Sequence, residues 1–248
     1  MTWLRIVRAE LRKLTTTKLP WAFFAVLVLI SSLTAVAVIF GTDMDGSKGF
    51  ISTAADQQSL MAFAANALMG AGLFGAIAVA REYGHGTVVP TFLSEPRRHR
   101  AVLAQSTAVM IGGGVLGLIG AGLTVVAVAA ALPTTEYGLL VSFGDVAQIL
   151  AASAFAGGAG AVLGGGLGAL IRNTGGAVAA WVVVLIIAPP LIIQMASETA
   201  RWVPSTLADV VAGKADDVGV LAALAAIALW AIVPATIGLI AVQRRDVA

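Results

Sequence analysis

Six long stretches of this sequence contain no charged side chain. Each can cross the hydrocarbon core of a bilayer as a helix, which takes about 20 mostly apolar residues. Because the bilayer core offers no water to backbone N–H and C=O groups, a helix satisfies them within the same segment. The sequence therefore predicts an all-α membrane protein with six transmembrane helices, over residues 20–40, 60–80, 102–132, 146–171, 177–196 and 218–242.

The composition excludes an ordinary soluble domain. Hydrophobic residues make up 59% of the chain and charged residues only 11%, whereas in soluble proteins about a quarter of the residues are charged. A transmembrane β-barrel is also excluded, because its strands would appear as short segments of alternating hydrophobicity. The chain contains no cysteine, so neither a disulfide framework nor a thiolate metal site can form.

The basic residues are distributed unevenly between the two sides of the predicted helices. Cytoplasmic loops of membrane proteins carry an excess of Lys and Arg, and an even number of spans puts both termini on one side. We therefore predict a multi-pass plasma-membrane protein with both termini in the cytoplasm. The outer side holds Lys48, Arg201 and Lys214, and the inner side holds the other twelve basic residues: Arg5, Arg8, Arg12, Lys13, Lys18, Arg81, Arg97, Arg98, Arg100, Arg172, Arg244 and Arg245.

Residues 1–18 precede the first predicted span. Apolar residues recur here at helical spacing, beginning with Trp3, while Arg5, Arg8 and Arg12 occupy another face. This pattern is typical of an amphipathic helix that lies in the membrane interface. The alternative interpretation is a basic anchor that only fixes the topology.

The loop between the second and third predicted spans is strongly polar. Charged residues from Glu82 to Arg100 prevent it from crossing the membrane. Because membrane helices hold both of its ends, this segment is well placed to receive force from a soluble partner. We predict a cytosolic coupling helix within residues 81–101, and the alternative is an ordinary charged loop.

Seven residues of this loop stand in a recognisable order, with a Glu at the end of span two, a Gly-Thr pair, and a Pro followed by basic residues before span three. They are Glu82, Gly86, Thr87, Pro96, Arg97, Arg98 and Arg100. This order resembles the coupling segment of type-2 ABC transporter permeases. The stretches LGALIRNTGGA (167–177) and QRRDV (243–247) also resemble that family, whereas Gln105 stands near a position where many relatives carry a Lys.

The resemblance implies a half-transporter, with one transmembrane permease domain over residues 1–248. Its partners would be separate ABC ATPase subunits, which bind ATP and Mg²⁺, and a second permease copy or a related permease within the lipid bilayer. The chain itself has no phosphate-binding loop of the form G-x-x-x-x-G-K-[ST]. We therefore expect no enzymatic activity on this chain, and no catalytic residue, metal, bound cofactor or nucleic-acid partner.

Five glycines in the predicted spans are spaced four residues apart. Small residues at this spacing let membrane helices approach each other closely. We interpret them as helix-packing positions rather than as a ligand site. They are Gly113 and Gly117 in the third span, and Gly160, Gly164 and Gly168 in the fourth.

The predicted outer segment, residues 197–217, is half apolar and contains Trp202 and Pro204. We expect a re-entrant or interfacial segment that caps an export pathway on the outer side, because irregular backbone at membrane depth needs protein or a cavity around it.

The function implied by the resemblance is outward transport by ATP-driven alternating access. The predicted spans contain no ionisable residue, which argues against a proton- or ion-coupled carrier. It favours a hydrophobic or amphipathic substrate, such as a drug, a lipid or a peptide. The alternatives are a non-ABC membrane scaffold or immunity protein, and a secondary carrier or channel that acts without an ATPase.

Overall fold

The computed structural model of the protein describes residues 2–44, 46–65, 67–95, 97–215 and 218–244, which form helices and turns with no strand among them. A five-residue π-helical turn, Val183–Ile187, lies within the helical stretch Thr174–Met195, just before two prolines whose missing N–H groups disturb the regular ladder. The helices are α1 (Trp3–Thr15), α2 (Leu19–Phe40), α3 (Ala54–Ala65), α4 (Ala67–Gly84), α5 (Val88–Ser94), α6 (Arg98–Ala131), α7 (Phe143–Ile171), α8 (Thr174–Val182), α9 (Ala188–Met195), α10 (Pro204–Val211) and α11 (Val220–Arg244).

Within the described residues, six helical stretches are long and apolar enough to cross a membrane, which confirms the predicted all-helical fold with six candidate spans. Each overlaps one predicted span. Five of them begin one to six residues earlier than predicted, because a helix ladder can continue into polar residues once the chain leaves the lipid. They cover Leu19–Phe40, Ala54–Gly84, Arg98–Thr134, Phe143–Ile171, Thr174–Met195 and Val220–Arg244.

Helix α7 lies at the centre of the bundle, packed against α4, α6 and α11. Glycines on α7 bring its backbone against that of α4. A methyl group on Gly164 would come within 2.9 Å of the Ala76 nitrogen, closer than real Cβ contacts allow. The close pairs along this crossing are Gly160 with Leu68, Gly164 with Gly72, and Gly168 with Ala76.

The crossing of α6 with α7 uses the other two predicted glycines. Gly113 faces Gly157, and Gly117 faces Ser153, so that a methyl group on Gly117 would lie 3.0 Å from the Ser153 carbonyl carbon. All five glycines that the sequence analysis singled out therefore lie at helix crossings. Close backbone approach of this kind maximises the dispersion contacts that hold membrane helices together.

Helix α2 is attached to the bundle by few side chains. Its buried residues are Ser31, Thr34 and Val38. The hydroxyl of Ser31 lies 3.0 Å from that of Thr124 on α6, and both are buried. The rest of α2 presents apolar side chains outward, as expected of a helix surrounded by lipid or by another membrane chain.

Both described ends of the chain lie at the same end of the bundle. Lys13 of α1 contacts Glu82 near the last turn of α4. Arg172, directly after α7, lies over the ring of Tyr83 and contacts the carbonyl of Ala241 near the end of α11. We call this the terminal end of the bundle.

At the opposite end, side-chain amides fasten the loops to the helices. The fully buried amide of Gln57 donates to the Gly138 carbonyl at 2.9 Å and accepts from the Leu140 N–H at 2.9 Å. Gln58 and Gln148 donate to the last carbonyls of α10 at 3.1 and 3.2 Å. These bonds satisfy backbone groups that a short helix leaves unpaired.

Candidate functional site

One ammonium group at the terminal end joins three segments of the chain. The Lys13 Nζ lies 2.7 Å from Glu10 Oε1 and 3.2 Å from Glu82 Oε2, and it donates to Thr91 Oγ1 at 3.1 Å. These residues belong to α1, α4 and α5. The side chains of Glu10 and Glu82 are only 5% and 12% exposed, and poorly hydrated ion pairs are screened less than exposed ones. We call Glu10, Lys13, Glu82 and Thr91 the Lys13 junction.

The pattern of α1 explains why a carboxylate is buried here. Ile6 and Val7 pack with Ala104 of α6, and Glu10 follows one turn later on the same face. Burial raises the pKa of Glu10 above its usual range, the carboxylate of Glu82 raises it further, and Lys13 acts in the opposite direction. Without Lys13, this side of α1 would bring two carboxylates together with no counter-charge.

The turn after α4 is shaped by a glycine in the left-handed region. Gly86 has φ +67°, a conformation that glycine adopts without the Cβ clash of other residues. The Thr87 hydroxyl donates to the Glu82 carbonyl at 3.3 Å, and α5 begins at the next residue, Val88. The two predicted residues Gly86 and Thr87 therefore set the position of α5 relative to Glu82.

A second ion pair lies between the end of α5 and the start of α6. Glu95 is buried, and its carboxylate lies 3.8 Å from the guanidinium of Arg100. Arg98 lies over the ring of Phe92 at 5.8 Å, a cation–π contact. Arg97 is exposed at the position preceding α6, and the predicted Pro96 lies outside the described residues.

The basic residues predicted for the interfacial helix lie on the outer side of α1. Arg5, Arg8 and Arg12 are all exposed, opposite the face that holds Ile6 and Glu10. Trp3 is also exposed, at 37%. The apolar face of α1 thus packs largely against α6 of the same chain, while its first turn remains open.

The predicted outer segment forms a 3₁₀ turn, Ser197–Trp202, followed by α10. Pro204 is buried at the start of α10, and the Trp202 carbonyl accepts a hydrogen bond from the indole of Trp230 at 3.0 Å. Leu207 is fully buried beneath it. Together with Gln58 and Gln148, these contacts hold the segment onto α3, α7 and α11.

No protein-family model matches this chain, and no curated protein matches its sequence. The likeness to type-2 ABC permeases therefore stays a prediction from the motifs. The structure brings the predicted Glu82, Gly86 and Thr87 together around one turn, and Arg100 joins them at the far side of α5. Trp202 and Pro204 lie at the opposite end of the bundle.

Lys13, Glu10 and Thr91 were not among the site residues predicted from the sequence. One signal for Glu10 was present, because a carboxylate on the apolar face of an amphipathic helix requires a nearby cation. Lys13 stands three residues later, which is contact distance on a helix. The partner Glu82 is 69 residues away from Lys13, and no local pattern could have revealed that contact.

Proposed function

We propose that this protein is the membrane-spanning permease subunit of a type-2 ABC exporter, driven by separate ATPase chains. The observation that carries the proposal is the Lys13 junction, in which one ammonium holds α1, the end of α4 and α5. A displacement of α5 would therefore reach both the N-terminal helix and a membrane helix. The kind of partner that would move α5 is inferred from the sequence. The coupling segment of type-2 ABC permeases has the same order of residues as Glu82, Gly86, Thr87, Arg97 and Arg98.

The proposed mechanism is alternating access. ATP and Mg²⁺ close the dimer of ATPase subunits, which pushes the coupling segment and α1. Because α4 and α7 are packed backbone to backbone, α4 cannot move alone, and α7 carries the displacement to α6 and α11. The switching element is the interface between two permease chains, since packed interfaces change between discrete arrangements.

The start of α6 provides a surface for the ATPase. Its first turn contains Arg98 and Arg100, with Arg97 just before it and no acidic residue in that turn. Positive charge at a helix N-terminus is unfavourable for the helix dipole. Stabilisation of α6 therefore does not explain these arginines. They suit an acidic surface on the ATPase.

The proposed cargo is hydrophobic or amphipathic, such as a drug, a lipid or a peptide. The apolar spans favour such cargo, and the largely exposed α2 favours a second permease in the bilayer, either a copy or a related chain. The outer segment with Trp202 and Pro204 would close the pathway on the far side. Its attachment through Gln58 and Gln148 makes it move with α3 and α7.

A pull-down from native membranes tests the proposal. The tagged, detergent-solubilised protein should recover a subunit with a phosphate-binding loop and ATPase activity. Glu82→Ala should lower transport-coupled ATP hydrolysis at least about tenfold, the loss expected for one buried charged contact. Glu136→Ala, which removes an exposed carboxylate far from the junction, should leave it unchanged.

Two results would contradict the permease assignment. One is normal coupling in the Glu82→Ala protein with its ATPase still bound. The other is an ATPase-free preparation that moves solute in liposomes, which would favour a secondary carrier or a channel. A preparation with neither partner nor transport would favour a scaffold or immunity protein.

A further inference from the structure

A cavity with several polar side chains in its lining lies beside the Lys13 junction at the terminal end of the bundle. It has a volume of about 460 Å³ and is formed by the end of α1, the turn before α2, and the end of α4. Leu14 and Ala78 provide its apolar part. Its polar lining is Lys13, Thr16, Thr17, Arg81, Glu82, His85 and Thr87.

Positive charge dominates this region. A second groove, formed by Arg5, Arg8 and Arg12, shares Lys13 with the cavity. Five basic residues thus face two carboxylates, Glu10 and Glu82, and Lys13 binds both carboxylates. Within the described part of the chain, no carboxylate lies within 4.0 Å of the four arginines of this region: Arg5, Arg8, Arg12 and Arg81.

The cavity offers both hydrogen-bond donors and acceptors to a ligand. Arg81 and His85 stand one turn apart, and the Nδ1 of His85 lies 2.9 Å from the Arg81 carbonyl, which leaves its Nε2 directed away from that bond. The hydroxyls of Thr16 and Thr17 already donate to backbone carbonyls, so they present lone pairs. Such a site suits a phosphodiester whose attached group carries hydroxyl protons.

The surroundings of the cavity match a lipid better than a soluble anion. The turn that lines it leads directly into α2, whose first turn presents Trp21 at 70% exposure. Apolar side chains that follow a cationic site along a membrane helix suit acyl chains attached to the bound phosphate.

We propose that this cavity binds the headgroup of an anionic phospholipid of the phosphatidylglycerol type. Arg81 donates to the phosphodiester, the Nε2 of His85 accepts a hydrogen bond from a headgroup hydroxyl, and the acyl chains lie along the start of α2. The neighbouring Arg5, Arg8 and Arg12 attract the negative headgroup. Because Lys13 lines the same cavity, the bound lipid touches the Lys13 junction directly. This inference does not depend on an ATPase partner.

The test is lipid binding by the delipidated full-length protein. Bound lipid is counted by native mass spectrometry during titration with phosphatidylglycerol, phosphatidylcholine, or inorganic phosphate. We expect phosphatidylglycerol to bind, and Arg81→Gln to weaken it roughly tenfold, the loss expected for one charge-assisted hydrogen bond. His85→Gln should weaken it less, and Arg244→Gln, an exposed arginine at the terminal end, should leave it unchanged.

Three outcomes would overturn the proposal. They are equal binding of phosphatidylcholine, unchanged phosphatidylglycerol binding in a folded Arg81→Gln protein, and binding of inorganic phosphate as tight as that of the lipid, which would assign the cavity to a soluble phosphate. Helical circular dichroism and the gel-filtration profile of each variant establish that it is folded.

Discussion

Lys13 is the residue on which the attachment of α1 to the terminal end of the bundle depends most. Glu10 has no other cation at contact distance in the described residues, and it is buried on the face of α1 that also carries Ile6 and Val7. A buried carboxylate that loses its counter-ion retains the cost of its desolvation. Lys13 therefore stabilises the docking of α1 and also keeps Glu82 in place.

Replacing the ammonium tests this role. Lys13→Met should lower the free energy of unfolding by about 2 kcal/mol, since it leaves a buried charge unpaired. Arg12→Met, an exposed neighbour on the same helix, should change it little. Thermal unfolding in detergent measures both, and adding Glu10→Gln to the Lys13→Met protein should restore most of the loss. Equal effects of the Lys13 and Arg12 variants would refute the role.

The buried carboxylate also predicts a pH dependence. Burial first, and Glu82 second, raise the pKa of Glu10 above its ordinary 4.5, against the effect of Lys13. Between 4.5 and this raised pKa, the folded protein holds a proton that the unfolded chain releases. The contribution of Glu10 to stability is therefore full below pH 4.5 and is lost as pH rises through the folded pKa.

Glu10→Gln should remove this dependence, because the amide does not ionise. The stability of Glu10→Gln relative to the wild type should rise as the pH increases above 4.5 and level off above the raised pKa of Glu10 in the folded protein. Unfolding midpoints at four pH values measure it, with Glu136→Gln as an exposed control. Parallel pH profiles for the wild type and Glu10→Gln would contradict the assignment.

At the scale of elements, α7 organises the bundle through its glycines. Its neighbours α4 and α6 approach so closely that a single methyl group has no room at several positions. Other glycines of these helices face open space, as Gly122 does on α6. Glycine is thus required by the crossings rather than by the helices themselves.

This difference can be measured directly. Gly164→Ala should cost about 1–3 kcal/mol, because the added methyl group overpacks the α4–α7 crossing. Gly122→Ala should be neutral or slightly stabilising, since nothing lies within 4 Å of the added Cβ and alanine favours helix. Unfolding by titration of a denaturing detergent compares the two variants. Equal losses would show that the crossing is looser than described.

The long helices could be predicted from the sequence with approximate bounds, whereas the bounds of the short helices could not, for one physical reason. A membrane span needs about 20 consecutive apolar residues. Each of the six runs in this sequence shows that signal locally. The seven residues of α5 and the eight of α10 are too short to be stable alone. Their positions depend on contacts such as Lys13 to Thr91 and Gln148 to Val211, which join residues 78 and 63 positions apart.

For the whole molecule, the degree of burial separates inner from outer helices. For each span, we compare the share of its most apolar stretch that is buried in the protein. This share is 64% for Ala54–Gly84 and 50% for α7, but only 17% for α11 and 11% for α2. The exposed apolar surfaces of α2 and α11 require lipid or a second membrane chain around them. The molecule is therefore built around the α4–α7 pair.

The orientation of the whole molecule can be tested because the sequence contains no cysteine. His99 lies at the terminal end and Thr199 at the opposite end, and both are exposed. We expect a membrane-impermeant maleimide to label Thr199→Cys in intact cells, and to label His99→Cys only after permeabilisation. The reverse pattern would place the termini outside and remove α5 from the reach of a cytoplasmic ATPase.

The docking of α1 has a consequence for biosynthesis. Its contacts with Glu82 and Ala104 involve segments that leave the ribosome long after α1 itself. The 69 residues between Lys13 and Glu82 take about 3–14 seconds to synthesise at about 5–20 residues per second. During this interval the N-terminal helix has neither the Glu82 carboxylate nor the apolar surface of α6. Its arginines must hold it at the membrane surface until the third span is inserted, so nascent chains truncated before α6 should leave α1 open to protease.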